Sequence, residues 1–281
     1  MSDPTQTQRE RNLETRDDRE PFAAHRAQVM RLVLDGRNGQ TSADERLCVL
    51  GAGNGNDLDL GPLVECFSEV HLVDIDPDAL AAATSNVPDA KADQVLTHQV
   101  DLTGWYDAVT SGPSQGDAAK SIHSATESYQ PEISGSPFDV VVSTCLLSQL
   151  IESAITELGG EHPRLNECIF AIRHHHLRAL LRLARPGGRV ILVTDFVSSE
   201  TLPQLASVSA DQLPATIRDA LENRNFFTGL NPGAIAQSLA TEEQLAALAT
   251  NVQISEPWRW NLGTRVFAVA AISFSSRAPV V

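Results

Sequence analysis

The chain has 281 residues, of which 42% are hydrophobic, enough for one large α/β domain with a buried core. Its formal net charge of −15, from 36 acidic against 21 basic residues without a basic cluster, disfavours DNA or RNA as a partner. No run reaches the roughly 18 apolar residues of a membrane span, the N-terminus is polar where a secretion signal needs an apolar stretch, and Cys48, Cys66, Cys145 and Cys168 form no CxxC pair. A cytoplasmic protein with no membrane partner, no disulfide framework and no metal site is expected.

Residues 1–20 are polar and mixed in charge, with too little apolar surface to offset the entropy of ordering, and are expected to be a disordered tail. From Pro21, the helical spacing of Phe22, Ala23, Val29, Leu32 and Val33 predicts a helix over 21–35. A loop follows over Gly36 to Glu45. Leu47 to Leu50 is an unbroken apolar run, the pattern of a parallel strand covered on both faces. It runs into Gly51-Ala-Gly53-Asn-Gly55-Asn-Asp57, a turn where glycine allows positive φ and close approach of a ligand to the main chain. A helix is expected from Asp57 to Cys66, shortened or broken by Gly61-Pro62.

Val70 to Asp74 reads as the second strand and ends on an acid. Asp76-Pro77-Asp78 has the form of an N-cap followed by proline in the first helical turn. A third strand spans Val95 to Val100 and closes on Asp101-Leu102. The segment at about 104–137 is rich in Ser, Gly, Pro and Gln and reads as an insertion with a short helix around Gly116 to Thr126.

Phe138 to Val142 is the clearest strand of the chain. A long helix over Arg164 to Arg185, striped by Leu165, Ile169, Ile172, His176, Leu180 and Leu183, is stopped by Pro186-Gly187-Gly188. A fifth strand covers Arg189 to Phe196, and a helical insertion about 202–248, with breaks at Pro214 and at Gly229 to Gly233. Val252 to Trp260 and Thr264 to Phe274 read as two long antiparallel strands joined at Asn261 to Gly263.

Strand, glycine turn, helix, strand and acid make a nucleotide-binding order, and Asp74 lies 23 positions after Gly51, close to the roughly 20 expected of a carboxylate that accepts ribose hydroxyl hydrogen bonds. The bland alternative is that the glycines only tighten a turn and Asp74 caps the next helix. A dinucleotide fingerprint would place its third glycine where Asn56 stands.

The GxGxG turn, an acid ending strand two, Asp101 ending strand three, Phe138-Asp139 opening strand four and Arg185-Pro-Gly-Gly188 before strand five together resemble the class I, Rossmann-like S-adenosylmethionine-dependent methyltransferase family. The resemblance covers about Leu47 to Phe274. It implies an α/β, doubly wound, seven-stranded and mostly parallel sheet with a C-terminal antiparallel hairpin and helices on both faces. Residues 21–281 would form a single domain with the helix at 21–35 as its active-site cover.

By the same resemblance, the backbone around Gly51, Gly53, Asn54 and Gly55 would cradle the methionine part of S-adenosylmethionine, Asp74 would hold the ribose, and Ile75 would pack on adenine. Asp101 would face the adenine amino group with Leu102 beside the ring, and Ser143, Thr144 and Cys145 would line the approach to the sulfonium. The family commonly carries an acid where Gly51 stands, so contact with the cofactor's amino group would pass to Asp57 or a loop asparagine.

Methyl transfer from a sulfonium needs alignment and desolvation more than a dedicated residue. Where the acceptor must lose a proton, His25 on the covering helix is the candidate base. His174, His175 and His176 are consecutive on a helix, about 100° apart, and cannot converge on one metal. Cys145 occupies the position of a nucleophile in cytosine C5 methyltransferases, but Thr144 stands where those enzymes have proline. Asn225 to Gly229 and Trp258-x-Trp260 are aromatic segments for the core or for an acceptor pocket. The expected function is methyl transfer to a small-molecule acceptor or a protein side chain. The alternatives are a nicotinamide-dependent oxidoreductase and a non-catalytic S-adenosylmethionine-binding relative.

Overall fold

The computed structural model describes residues 4–35, 44–85, 87–106 and 118–277. Most of the loop expected over Gly36 to Glu45, the middle of the insertion at about 104–137 and the first residues of the expected tail lie outside them. The sheet is built on β1 (Arg46–Leu50), which pairs in parallel with β2 (Glu69–Asp74) on one side and β4 (Phe138–Thr144) on the other, Leu47 facing both Val70 and Val140. Leu47 to Leu50 are fully buried, and their alternation sends Leu47 and Val49 into one hydrophobic cluster and Cys48 and Leu50 into the other.

β3 (Val95–Gln99) extends the sheet beyond β2, and β5 (Ala184–Ser198) beyond β4. The strand order β3-β2-β1-β4-β5 therefore reverses direction at β1, and the carboxyl ends of β1 and β4 form the crevice where such sheets bind ligands. One face is covered by α2 (Ala23–Leu34), α3 (Leu60–Cys66) and α4 (Pro77–Thr84), whose apolar residues share a cluster with Trp258 and Trp260. The other is covered by α5 (Ala118–Ser128), α6 (Leu146–Leu158), α7 (Leu165–Leu183), α8 (Leu213–Glu222), α9 (Pro232–Thr241) and α10 (Glu243–Ala246).

Several local expectations are corrected. α3 begins at Leu60, because Gly61-Pro62 sits in its first turn and does not break it. Asp76 caps α4 as expected, its side chain accepting from the Asp78 N–H. Pro186 to Gly188 falls inside β5, as an outward bulge between Ala184, paired to Phe138, and Arg189, paired to Val140.

The C-terminal hairpin has three strands, β6 (Ala249–Ile254), β7 (Trp258–Leu262) and β8 (Arg265–Ser276), which brings the sheet to eight. β8 runs antiparallel beside β5, and β6 and β7 lie end to end along its other edge. They fill the seventh place as one interrupted strand. Ser255 still exchanges hydrogen bonds with Ala271, and the ladder breaks at Glu256-Pro257, where proline has no N–H to donate.

The expected tail is the largest difference, since Pro4–Glu14 is a helix, α1. Its order comes from polar contacts to the glycine turn, which no count of apolar residues could foresee. No helix among the described residues is long and apolar enough to cross a membrane.

Candidate functional site

The turn after β1 is bent by three left-handed glycines, with φ of 72° at Gly51, 49° at Gly53 and 72° at Gly55. At Gly51 a Cβ would lie 2.9 Å from the Leu146 Cβ, and at Gly55 3.1 Å from the Ala83 Cβ, so both positions need glycine for space as well as conformation. The Gly51 and Ala52 N–H groups both donate to the Val73 carbonyl at 2.9 and 3.1 Å, which ties the turn to the end of β2.

Asp74, 5% exposed, locks this junction: Oδ2 accepts from the Gly53 N–H at 2.9 Å and Oδ1 from the Asp76 N–H at 3.0 Å. Burial pushes its carboxyl above the usual range, against the backbone donors that lower it. Thr144, at the end of β4, donates from Oγ1 to the Gly51 carbonyl at 3.2 Å. Gly51, Gly53, Asn54, Asp57, Asp74 and Thr144 all border one cavity of about 750 Å³, within the usual size range of small-molecule sites.

A narrow slot of about 30 Å³ lies beside it, walled by Ile75, Val100, Leu102 and Leu146 with Asp101 at its edge. Asp101 Oδ1 accepts from Thr103 N and Oγ1 at 2.7 and 2.6 Å, so the acid is held in place at the mouth. Gln8 of α1 and Asp74 border both spaces.

The polar clasp between α1 and the turn was not foreseen. Asn12 Nδ2 donates to Asp76 Oδ2 at 3.0 Å, Asn54 Nδ2 to the Asn12 carbonyl at 2.6 Å, and Asn56 Nδ2 to the Thr15 carbonyl at 2.7 Å. The signal was the pair of asparagines interleaved with the glycines. Asn54 and Asn56 give their Nδ2 groups to the N-terminal segment, and Asp57 borders the cavity beside them.

His25 is not placed as a base. It is 1% exposed, its Nδ1 accepts from the Trp258 indole N–H at 3.1 Å, and its ring stacks on Trp260 at 4.6 Å. Nδ1 accepts, so Nε2 carries the proton, and Nε2 lies 3.3 Å from Asp57 Oδ1. No lone pair is left to take a substrate proton, and at 3.3 Å Nε2 and Asp57 Oδ1 approach without forming a hydrogen bond.

Cys145 sits in a left-handed conformation, φ 48°, at the start of α6. Burial pushes its thiol well above the usual range, and Asp195 and Asp57 add to the shift, the opposite of what a nucleophilic thiolate needs. The three consecutive histidines diverge as expected. His174 lies 3.9 Å from Glu242, His175 bonds the Thr126 carbonyl at 3.1 Å, and His176 bonds Ser143 Oγ at 2.9 Å.

Of the aromatic segments, Trp258 is core, whereas Trp260, Phe226 and Phe227 serve both core and cavity wall. The missed member of the site is Asp195, at the carboxyl end of β5 and on the same wall. It is the one acid in β5, just after the apolar run Val190 to Val193, and that was its signal in the sequence.

The strand order, its reversal at β1 and the antiparallel β8 inserted before the edge define a class I, Rossmann-like methyltransferase fold. No protein-family model and no curated protein sequence matches the chain. Among solved structures it is similar to the methyltransferase domain of bacterial CtHen1-C, at 15% identity and a TM-score of 0.49, over 90% of this chain and 98% of that one. It is similar also to magnesium protoporphyrin IX methyltransferase from Synechocystis PCC 6803 with bound SAH, at 15% identity and a TM-score of 0.44, over 90% and 80% of the two chains. A third is the S-adenosylmethionine-dependent methyltransferase SibL, at 18% and 0.40, over 90% and 56%. The fold assignment rests on the strand order, and these likenesses assign no individual residue.

Proposed function

We propose that the protein transfers the methyl group of S-adenosylmethionine to a small-molecule acceptor. The observation that carries this reading is the convergence, around one cavity at the switch point of the sheet, of the glycine turn, Asp74 and, through the adjoining slot, Asp101. The donor set suits such a cofactor: a glycine turn that exposes main chain, an acid for vicinal hydroxyls, and an apolar slot with an acid at its edge, which at about 30 Å³ must widen to admit a purine.

In this reading Gly51, Gly53 and Asn54 border the methionine portion and Asp57 meets its amino group, while Gly55, packed on Ala83 away from the cavity lining, only shapes the turn. Asp74 takes the ribose hydroxyls, Ile75 and Leu102 enclose the base, and Asp101 faces its amino group. The cofactor supplies a methyl group already activated on a sulfonium. What the chain adds is alignment and exclusion of water, through the buried ends of β4 and β5 and the cover formed by α1.

The antiparallel β8 between β5 and β6 counts against the nicotinamide reading. Titration calorimetry with S-adenosylhomocysteine and, separately, NADH tests the pair. Saturable binding of the first alone is expected, and no binding of S-adenosylhomocysteine at millimolar concentration would sink the proposal. Binding without turnover on a broad acceptor panel would favour the non-catalytic relative.

A further inference from the structure

We propose that the methyl acceptor is a hydrophobic amine whose cationic nitrogen is held by Asp195 at the aromatic end of the cavity; the inference rests on the methyl-transfer reading above. Asp195 is 7% exposed and borders the cavity, and Ser148 Oγ donates to its Oδ1 at 2.5 Å. Among the described residues no Lys, Arg or His forms an ion pair with it, although His25 lies near enough to act on its charge. The two cavity arginines are committed elsewhere, Arg11 to Glu152 at 3.1 Å and Arg265 to Glu200 at 2.6 Å. A carboxylate so removed from water and without a counter-ion is costly, and a cation arriving with the ligand relieves that cost.

The walls match the rest of such a molecule. The Phe227 N–H donates to the Phe196 carbonyl at 2.8 Å, which fastens the Phe226-Phe227 segment beside Asp195. Across the hairpin, Trp260 pairs with Phe267, and both border the same cavity. Aromatic faces attract an ammonium group and bury an apolar body. Trp260 is 8% exposed and its indole Nε1 is buried without a hydrogen-bond partner, so the residue offers the cavity its ring and not its N–H. The net charge of −15 would also steer cations toward the protein.

The chemistry balances with groups already present. The bound ammonium gives one proton to the Asp195 carboxylate, whose burial pushes its proton affinity up. The freed nitrogen lone pair forms the new N–C bond while the electron pair of the breaking C–S bond stays on sulfur. Positive charge thus passes from sulfur to the methylated nitrogen, and the proton leaves Asp195 for water as product departs.

The test is calorimetry on the full chain with tryptamine and phenethylamine against tryptophol and 2-phenylethanol, with and without S-adenosylhomocysteine. A charge-assisted contact predicts that each amine binds at least about 10-fold more tightly than its matched alcohol. Asp195→Asn should bring the pair within about 3-fold while S-adenosylhomocysteine affinity is kept. Equal binding of amine and alcohol, no binding of either, or a preference that survives Asp195→Asn overturns the inference. The native-chain comparison stands even if the variant does not fold. Binding of S-adenosylhomocysteine without amine preference sinks this inference alone. Amine preference without that binding leaves the amine site and sinks the methyl-donor reading.

Discussion

Two N-terminal helices stand near the cavity, α1 on its wall and α2 behind it, and opposite forces hold them. Only the N-cap residue of α2, Phe22, reaches the lining, so that helix is not the expected cover. α2 buries Val29, Met30, Leu32 and Val33 against the sheet and sets His25 between Trp258 and Trp260. Each such apolar side chain contributes roughly 1.5–3 kcal/mol. α1 buries no apolar side chain among its described residues, and Leu13 is 68% exposed. It is held by the Asn12, Asn54 and Asn56 hydrogen bonds and by the Arg11–Glu152 pair, each worth about 1 kcal/mol or less. The lesson is that the two helices are anchored with unequal strength: α2 is tied to the core, whereas α1 rests on a few polar contacts and should open at a lower free energy than the fold.

Trp260→Ala should lower the unfolding free energy by about 3–5 kcal/mol, read by urea denaturation, because it removes the ring on which His25 stacks. A loss below about 1 kcal/mol would mean that α2 is not fixed in this way. On the other side, Asp74→Asn should weaken S-adenosylhomocysteine by about 1.5–3 kcal/mol, or 10- to 150-fold, in calorimetry. Unchanged affinity would remove Asp74 from the site.

Acid should sharpen the contrast. His176 is buried, and desolvation brings its pKa from 6.5 down to about 3, so the unfolded chain binds its proton first as pH falls. Stability from this group is present above pH 6.5 and is lost on going down toward pH 3, by up to about 1.4 kcal/mol per pH unit. Burial shifts His175 in the same direction. Global stability should therefore fall toward the opening free energy of α1, and amide exchange in α2 should approach that in α1 between pH 7 and pH 5. A gap that stays constant would refute the assignment of His176 as a neutral core group.

The smallest effect is expected from Asn12→Ala. It removes about 1 kcal/mol of clasp, so exchange in α1 should rise roughly 5-fold with the urea midpoint unchanged. A shifted midpoint would show that α1 belongs to the core after all.

The strands and most helices were legible because each carries its own local pattern. β1 and β4 are apolar runs, α4 announces itself with Asp76-Pro77, and the GxGxG turn names its own geometry. What failed depended on partners remote in the chain. α1 looked unfoldable because its stabilising partner, Asp76, lies 64 residues from Asn12. His25 looked like a base because nothing nearby reveals that the Trp258 indole, 233 residues away, occupies its acceptor nitrogen. The break at Glu256-Pro257 was legible in principle, and the alternating residues around it hid it.

The parallel sheet, the glycine turn and the acids at the end of β2 and just after β3 thus follow from amino-acid order alone, since periodicity and turn chemistry are properties of neighbouring residues. That α1 clasps the turn, that Trp258 occupies the His25 acceptor nitrogen, and that Asp195 makes no ion pair among the described residues beside aromatic rings follows only from the folded chain. Those are properties of burial and of hydrogen bonds closed across long stretches of chain, and no local pattern encodes them.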